Sequence, residues 1–215
     1  SHNVVDASAG SAIAQATIIS SMEDAGFALN QTVIDSYTQW ASEEVEGAEA
    51  DESGNVTKKT SDLLVADDFA EASQTDEWKT SLEEYGDAAF VVLSRGTGEI
   101  AEGGRTHALQ LDAVQYDLID YAAENFDKVV VLVNSCTPLE IAEIQRNEAV
   151  DAVLNIGEPG DNGLEALGKV LTGEVNPSGR TVDTWAVDFT ENPSYTIFNT
   201  TTSETAQGKD GNGTM

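Results

Sequence analysis

Short, continuous runs of apolar residues mark the second half of the chain. AAFVVL occupies residues 88–93, VVVLV occupies 129–133 and AVDAVLNI occupies 149–156. Runs of this length that are rich in β-branched residues are typical of strands buried on both faces of a parallel sheet. The segment RTVDTWAV, residues 180–187, is a fourth strand candidate.

Apolar residues before and between these runs recur at helical spacing, every third or fourth position. Capping residues and glycines stand where such helices would start and stop. The predicted helices are residues 16–25, ended by Gly26; a helix capped by Asn30 that carries Val33 to Trp40; residues 67–85, with a break near Gln74; a helix capped by Asp112; a helix with Pro138 in its first turn; and a helix through Leu164 to Leu171, ended by Gly173.

The repeated order of strand, loop and helix predicts the fold class. It is α/β, a doubly wound three-layer αβα sandwich with a mainly parallel sheet. In such sheets, ligands bind beyond the carboxyl ends of the strands. The loops predicted to lie there are 94–108, 134–138 and 155–163.

The chain of 215 residues is predicted to form one domain over residues 16–199. Residues 1–15 are small and polar, and we expect them to be a loop at a truncated start. Residues 43–60 are acidic and aperiodic, which favours a flexible loop. Residues 200–215 are rich in threonine and glycine, and we expect them to be a flexible tail.

The charge balance excludes one class of partner and disfavours another. Ten basic residues stand against 39 acidic residues, which gives a formal net charge of -29. A nucleic-acid-binding protein needs a basic surface that replaces the counterions of phosphates, so no nucleic-acid partner is predicted. Anionic membrane surfaces are disfavoured for the same reason, and no membrane partner is predicted. We interpret the acidity as adaptation to an acidic or salty environment in preference to metal buffering.

Metal and cofactor sites are also not indicated. Cys136 is the only cysteine, which excludes an internal disulfide, and the two histidines, His2 and His107, are far apart in sequence. A zinc site usually needs three or four Cys, His or carboxylate ligands. We therefore predict no metal and no cofactor.

The segment SRGTGEIAEGG, residues 94–104, carries the most informative chemistry. A nucleotide-binding loop is disfavoured because Ala101 stands where G-x-G-x-x-G needs its third glycine. Glu99 and Glu102 would also repel phosphates. Alternatively, the glycines let the loop fold sharply and present a carboxylate, which acts as a general acid when its pKa is raised. Composition alone favours a third interpretation, a solvated acidic loop tip.

The order and spacing of several segments resemble the second domain of family 3 glycoside hydrolases, notably the β-glucosidase branch. The resemblance covers most of residues 10–199. The segments that carry it are AGFALNQTVIDSY (25–37), FVVLSRGTGE (90–99), LQL (109–111) with Gln115, VVVLVNSCTPLE (129–140), DAVLNIGEPGDNG (151–163), and VLTGEVNPSGR (170–180) with the TVDTW that follows.

The resemblance implies a retaining hydrolase that acts on terminal β-linked sugars and is split between two domains. An N-terminal TIM-like barrel of the same enzyme would supply the aspartate nucleophile, and this domain would supply the acid/base. Glu99 matches the family's acid/base glutamate in S-R-x-x-G-E, and Glu102 is the second candidate. Arg95 and Ser94 are the implied substrate-binding residues, with Arg95 also able to orient the acid. The implied partners are the carbohydrate substrate and the barrel.

The chain departs from the family pattern at two turns. Cys136 replaces the glycine of the N-x-G-x-P turn, and Asp161-Asn162-Gly163 replaces a Glu-Gly-Gly-like run. The strand expected to open the domain is missing, so we interpret the chain as part of a longer enzyme. An alternative function is a noncatalytic carbohydrate-binding or interaction domain of the same fold, since fold alone does not decide function. A flavodoxin-like nucleotide or signalling domain lacks the loop chemistry.

Overall fold

The computed structural model describes residues 16–46, 69–94, 109–111, 113–135 and 137–193. Residues 69–72 are helical, and short 3₁₀ helices span Leu164–Ala166 and Phe189–Glu191. The other elements in chain order are α1 (Ile18–Asp24), α2 (Gln31–Glu46), α3 (Asp76–Glu84), β1 (Ala89–Ser94), α4 (Ala113–Asn125), β2 (Val129–Asn134), α5 (Ala142–Arg146), β3 (Ala152–Asn155), α6 (Gly160–Gly163) and α7 (Leu167–Leu171).

The three strands form one parallel sheet in the order β1–β2–β3. The β1–β2 register runs from Ala89 opposite Val129 to Ser94 opposite Asn134. The three predicted apolar strands and their parallel pairing are therefore confirmed. Because all strands point the same way, their carboxyl ends meet at one edge of the sheet.

One face of the sheet packs against α4 and α5 through aliphatic side chains. Val131 and Val133 of the central strand are 0% exposed, and Ile119 of α4 and Ile144 of α5 are 2% exposed. Full burial of an aliphatic side chain stabilises the fold by about 1.5–3 kcal/mol. This layer is the largest part of the core among the described residues.

The opposite face packs against α1 and α7. Leu132 of β2 is 0% exposed and forms a buried cluster with Leu164 and Leu167. The backbone N–H of Gly168 donates to Ser21 Oγ over 2.9 Å. A Cβ atom at residue 168 would lie 2.1 Å from the Ser21 carbonyl oxygen, so only glycine allows this approach of α7 to α1. Helices on both faces of a parallel sheet confirm the predicted α/β sandwich.

An aromatic cluster attaches α2 and α3 to the outer side of α4. Phe69, Trp78 and Leu82 are its buried members. Trp78 Nε1 donates to the Tyr121 hydroxyl over 3.1 Å, which satisfies the polar atom of the buried indole. In the same cluster, burial raises the pKa of Tyr37 to about 12.

Most predicted helix boundaries are confirmed. Asn30 Oδ1 accepts from Val33 N over 3.3 Å at the start of α2. The break near Gln74 is present, because helix 69–72 ends and α3 begins at Asp76. Gly26 and Gly173 follow α1 and α7 with positive φ angles of 90° and 78°.

The fourth strand prediction, residues 180–187, is wrong. The segment pairs with none of the described strands, and Val182 is 100% exposed. Its β-branched composition reflects strand propensity, but propensity yields a strand only where a partner edge receives the backbone hydrogen bonds. Trp185 instead packs against the core as a half-buried anchor.

Two helix predictions need smaller corrections. Pro138 does not lie in the first turn of a helix, because α5 begins only at Ala142. The N–H of Glu140 donates to the Leu109 carbonyl over 2.8 Å, so this backbone is engaged with another segment instead of with itself. Residues 43–46, predicted as the start of a flexible loop, continue α2.

Three other predictions concern residues outside the described ranges. They are the loop over residues 1–15, the tail over residues 200–215 and the helix cap at Asp112. Of the described helices, none combines the length and apolarity that crossing a membrane requires.

Candidate functional site at the carboxyl edge of the sheet

Each strand ends in a polar residue at the carboxyl edge of the sheet. β1 ends at Ser94, β2 at Asn134 and β3 at Asn155. Each of these residues terminates an apolar segment, so the polarity changes at the point where the chain leaves the sheet. This edge is where parallel sheets of this class bind ligands.

Asn134 links the loops on either side of the central strand. Ser94 Oγ donates to Asn134 Oδ1 over 3.1 Å, and Asn134 Nδ2 donates to the Gly157 carbonyl over 2.6 Å. Asn134 is only 8% exposed, and its amide therefore exchanges few hydrogen bonds with water. The end of β1 at Ser94 and the turn at Gly157 are thus bonded to one side chain.

Residues 134–140 begin at the last residue of β2 and continue beyond it. The described residues of this segment form hydrogen bonds with other segments at several points, and we call the segment the connector. At one end of the connector, the N–H of Glu140 donates to the carbonyl of Leu109, the residue that follows loop 94–108. At the other end, Asn134 accepts a hydrogen bond from Ser94, the first residue of that loop. The two described residues that flank residues 95–108, Ser94 and Leu109, are therefore both bonded to the connector.

Glu140 also holds a third segment. Its Oε1 accepts from the N–H of Phe189 over 2.6 Å. Asp188 caps the short helix there, accepting from Thr190 N over 2.7 Å, and the hydrogen bonds from Thr190 lower the pKa of Asp188.

The phenol of Tyr116 is also affected by the carboxylate of Glu140. Burial raises the pKa of Tyr116, and the nearby carboxylates of Glu143 and Glu140 raise it further.

The turn that follows β3 has the backbone chemistry that its glycines predict. Gly157 has a φ of 58°, in the left-handed region that glycine adopts without strain. Its N–H donates to Asn155 Oδ1 over 3.1 Å, and its carbonyl accepts from Asn134. The prediction that GEPGDNG lies outside regular structure is confirmed over residues 157–159 and wrong over Gly160–Gly163, which form α6.

Of the predicted site residues, Ser94 lies at the carboxyl edge as expected. Arg95, Glu99 and Glu102 lie outside the described residues, as do His107 and Cys136. Sequence reasoning missed Asn134 and Glu140. A polar residue that ends a buried apolar run, as in VVVLVN, is the signal that could have found Asn134.

The chemistry available at the described part of this edge is hydrogen bonding by hydroxyl, amide and carboxylate groups. No group of three or more His, Cys, Asp or Glu side chains in the described ranges is arranged to hold a metal ion. Such an edge, lined by hydrogen-bonding groups, is suited to holding a polar ligand.

The fold defines a class: an α/β sandwich with a parallel sheet whose strands end in polar residues at one edge. The sequence model of the Glycosyl hydrolase family 3 C-terminal domain matches residues 6–212. The chain therefore belongs to the family of glycosyl hydrolase family 3 C-terminal domains.

Curated proteins with similar segments agree with that family. The chain is 30% identical over 112 residues to a β-glucosidase of Ruminococcus albus, covering 52% of the chain and 12% of that protein. It is 37% identical over 94 residues to the thermostable β-glucosidase B of Acetivibrio thermocellus, covering 44% of the chain and 12% of that protein. It is 29% identical over 100 residues to the probable β-D-xylosidase 6 of Arabidopsis thaliana, covering 46% of the chain and 13% of that protein.

A solved structure supports the fold. The crystal structure of a β-glucosidase from Paenibacillus barengoltzii superposes with a TM-score of 0.61 at 21% identity, over 86% of the chain and 19% of that structure. The matched segments thus span between 12% and 19% of these relatives, so most of each relative has no counterpart in the 215 residues.

Proposed function

We propose that this chain is the acid/base domain of a retaining glycoside hydrolase that acts on terminal β-linked sugars. The loop that contains Glu99 would protonate the departing sugar oxygen and later activate water. The aspartate nucleophile would come from an N-terminal TIM-like barrel. Family membership and the relatives named β-glucosidase and β-D-xylosidase support the reaction class.

The observation that carries the proposal is the hydrogen bonding of the two described residues that flank residues 95–108. Ser94, at the end of β1, is bonded to Asn134, and the Leu109 carbonyl accepts from the N–H of Glu140. A side chain can be presented reproducibly to a substrate only if its supporting backbone is held in this way. This arrangement fits a loop that delivers a carboxyl group to a neighbouring domain.

The chemistry requires two carboxyl groups roughly 5–5.5 Å apart, one as nucleophile and one as acid/base. In our proposal Glu99 is the acid/base, Glu102 is the second candidate, and Arg95 orients the acid or contacts the sugar. Because the nucleophile would be absent, the 215-residue chain alone should not hydrolyse aryl β-glucosides, and it is the negative control for the hydrolysis assays below.

The test is Glu99→Gln in the enzyme that contains both this domain and its barrel. The substitution keeps side-chain size and removes the transferable proton. With an unactivated disaccharide, formation of the glycosyl-enzyme should slow by roughly 10²–10⁴-fold, the usual effect of losing acid–base catalysis. With a dinitrophenyl glycoside the leaving group needs little protonation, so hydrolysis of the intermediate should become rate-limiting.

Azide distinguishes Glu99 from a merely structural residue. It attacks the intermediate without a general base, so it should restore turnover of Glu99→Gln and yield a glycosyl azide of β-configuration. The matched control is Glu102→Gln, which should show no rescue. Rescue of Glu102→Gln alone would exchange the two roles. If neither variant is rescued, the acid lies elsewhere and the domain acts in sugar binding, the noncatalytic alternative.

A further inference from the structure

Asn134 occupies the point at which the central strand opens into the candidate site. It ends β2, between Ser94 of β1 and the turn that follows β3. Its side chain is 8% exposed and forms hydrogen bonds in two directions, to Ser94 Oγ at 3.1 Å and to the Gly157 carbonyl at 2.6 Å. One partner is the last residue of β1, and the other lies in the turn that follows β3.

The chemistry of the partners fixes the orientation of the amide. A backbone carbonyl only accepts hydrogen bonds, so the amide nitrogen of Asn134 must face Gly157. The amide oxygen then faces Ser94, and the hydroxyl must donate its proton to it. Ser94 therefore donates to Asn134, and Asn134 donates to Gly157. An ionised carboxylate of the same shape cannot make the second bond, because it has no proton to donate.

We infer that Asn134 is a positioning residue that fixes the end of β1 at Ser94 and the turn at Gly157 relative to each other, and that Ser94 serves the same purpose. A hydroxyl has a single proton, and the proton of Ser94 is used in the bond to Asn134. Through this bond Ser94 supports the end of β1, and its oxygen retains the capacity to accept a hydrogen bond from another group. The consequence for hydrolysis rests on the proposed function.

The discriminating variant is Asn134→Asp. At neutral pH the introduced carboxylate places an acceptor against the Gly157 carbonyl, and the two oxygens repel each other. When protonated, the same carboxyl donates to Gly157 and still accepts from Ser94. Burial and the facing carbonyl raise the pKa of the introduced carboxyl above its ordinary value.

The sign of the pH effect follows from this raised pKa. A group with a higher pKa in the folded state contributes stability below its unfolded pKa, about 3.9 for aspartate, and loses it as pH rises through the folded pKa. Relative to the natural chain, the free energy of unfolding of Asn134→Asp should therefore be only slightly lower in acid, and the difference should grow towards neutral pH. Asn134→Leu has no titrating proton at this position, so its loss of unfolding free energy should not become smaller in acid.

The first readout uses the 215-residue chain and requires no catalysis. In Asn134→Asp, the backbone amide NMR signals of Ser94 and Gly157 should both shift with pH and share one midpoint, because one carboxyl faces both loops. Asp151→Asn is the matched control, since Asp151 makes a similar bond at the opposite edge of the sheet, to Val129 N over 2.8 Å. It should leave both signals unchanged. A response at only one of the two residues would overturn the inference.

The second readout is kcat/KM of the barrel-containing enzyme, expressed as a ratio to the natural sequence at each pH. A displacement of about 1 Å at a catalytic group costs up to about 10²-fold. We expect the kcat/KM of Asn134→Asp to fall by about 10–100-fold at pH 7 and to recover in acid. The kcat/KM of Asp151→Asn should stay within about twofold of the natural value at equal thermal stability.

The same small loss of kcat/KM in both variants would refute the positioning role while leaving the proposed hydrolysis intact. If the natural sequence hydrolyses no β-linked sugar, the proposed function fails, and the NMR result alone decides whether Asn134 couples the loops.

Discussion

The two edges of the same three strands are held together by different kinds of hydrogen bond. At the amino edge, β2 and β3 are joined by a reciprocal pair, in which Val129 N donates to Asp151 Oδ2 over 2.8 Å and Asp151 N donates to the Val129 carbonyl over 2.9 Å. At the carboxyl edge, the Asn134 side chain bonds to Ser94 and to Gly157.

The difference separates structural support from support of a site. The pair at the amino edge repeats the geometry of the strand ladder, so it fixes the register of two strands that already pair. The Asn134 bonds extend past the ladder into the turn at Gly157, where no strand pairing fixes the backbone. Two hydrogen bonds between Val129 and Asp151 thus stabilise the sheet at the amino edge. Two hydrogen bonds of the Asn134 side chain position the turn at Gly157 and the end of β1 at the carboxyl edge.

The largest expected effect comes from a change that removes the support common to both edges. Leu132, which is 0% exposed, lies in the central strand between them. Leu132→Ala should lower the free energy of unfolding by about 2–5 kcal/mol, because it removes buried methyl groups and leaves a cavity. Urea unfolding followed by circular dichroism measures the loss. Amide exchange should accelerate at both edges equally, and a change confined to one edge would mean that the edges are supported independently.

A medium effect is expected from Asn134→Leu at the carboxyl edge. The leucine keeps the approximate volume but leaves the Gly157 carbonyl and the Ser94 hydroxyl without this partner. A typical intramolecular hydrogen bond contributes about 0.5–1.5 kcal/mol, so the removal of these two should lower the free energy of unfolding by about 1–3 kcal/mol. Hydrogen–deuterium exchange should accelerate around residues 94 and 157 and remain unchanged at Val129. Faster exchange at Val129 would show that the two edges are not separate.

The smallest effect is expected from Asp151→Ala at the amino edge. Asp151 is exposed, so water can replace its carboxylate as the acceptor for Val129 N. We expect a loss of about 0.5–1.5 kcal/mol in unfolding free energy. The backbone bond from Asp151 N to Val129 should persist, and exchange at residues 94 and 157 should be unaffected. A loss larger than that of Asn134→Leu would reverse the order of importance of the two edges.

The strands could be predicted from local sequence because their signal is local. VVVLV is apolar and β-branched throughout, and a strand buried on both faces requires that composition. The same reasoning failed at residues 180–187, where composition favoured a strand but no partner edge among the described strands receives one. It also failed at Pro138, because the bond from Glu140 to Leu109 holds the backbone out of a helix.

The sequence by itself determined the three strands, the ends of α1 and α7 and the position of the loops at one sheet edge. Only the tertiary structure decided which side chains support those loops. Ser94 and Asn134 are 40 positions apart in the chain, and Asn134 and Gly157 are 23 apart. Propensity and periodicity act over a few residues, whereas these hydrogen bonds exist only because parallel pairing brings distant strand ends together.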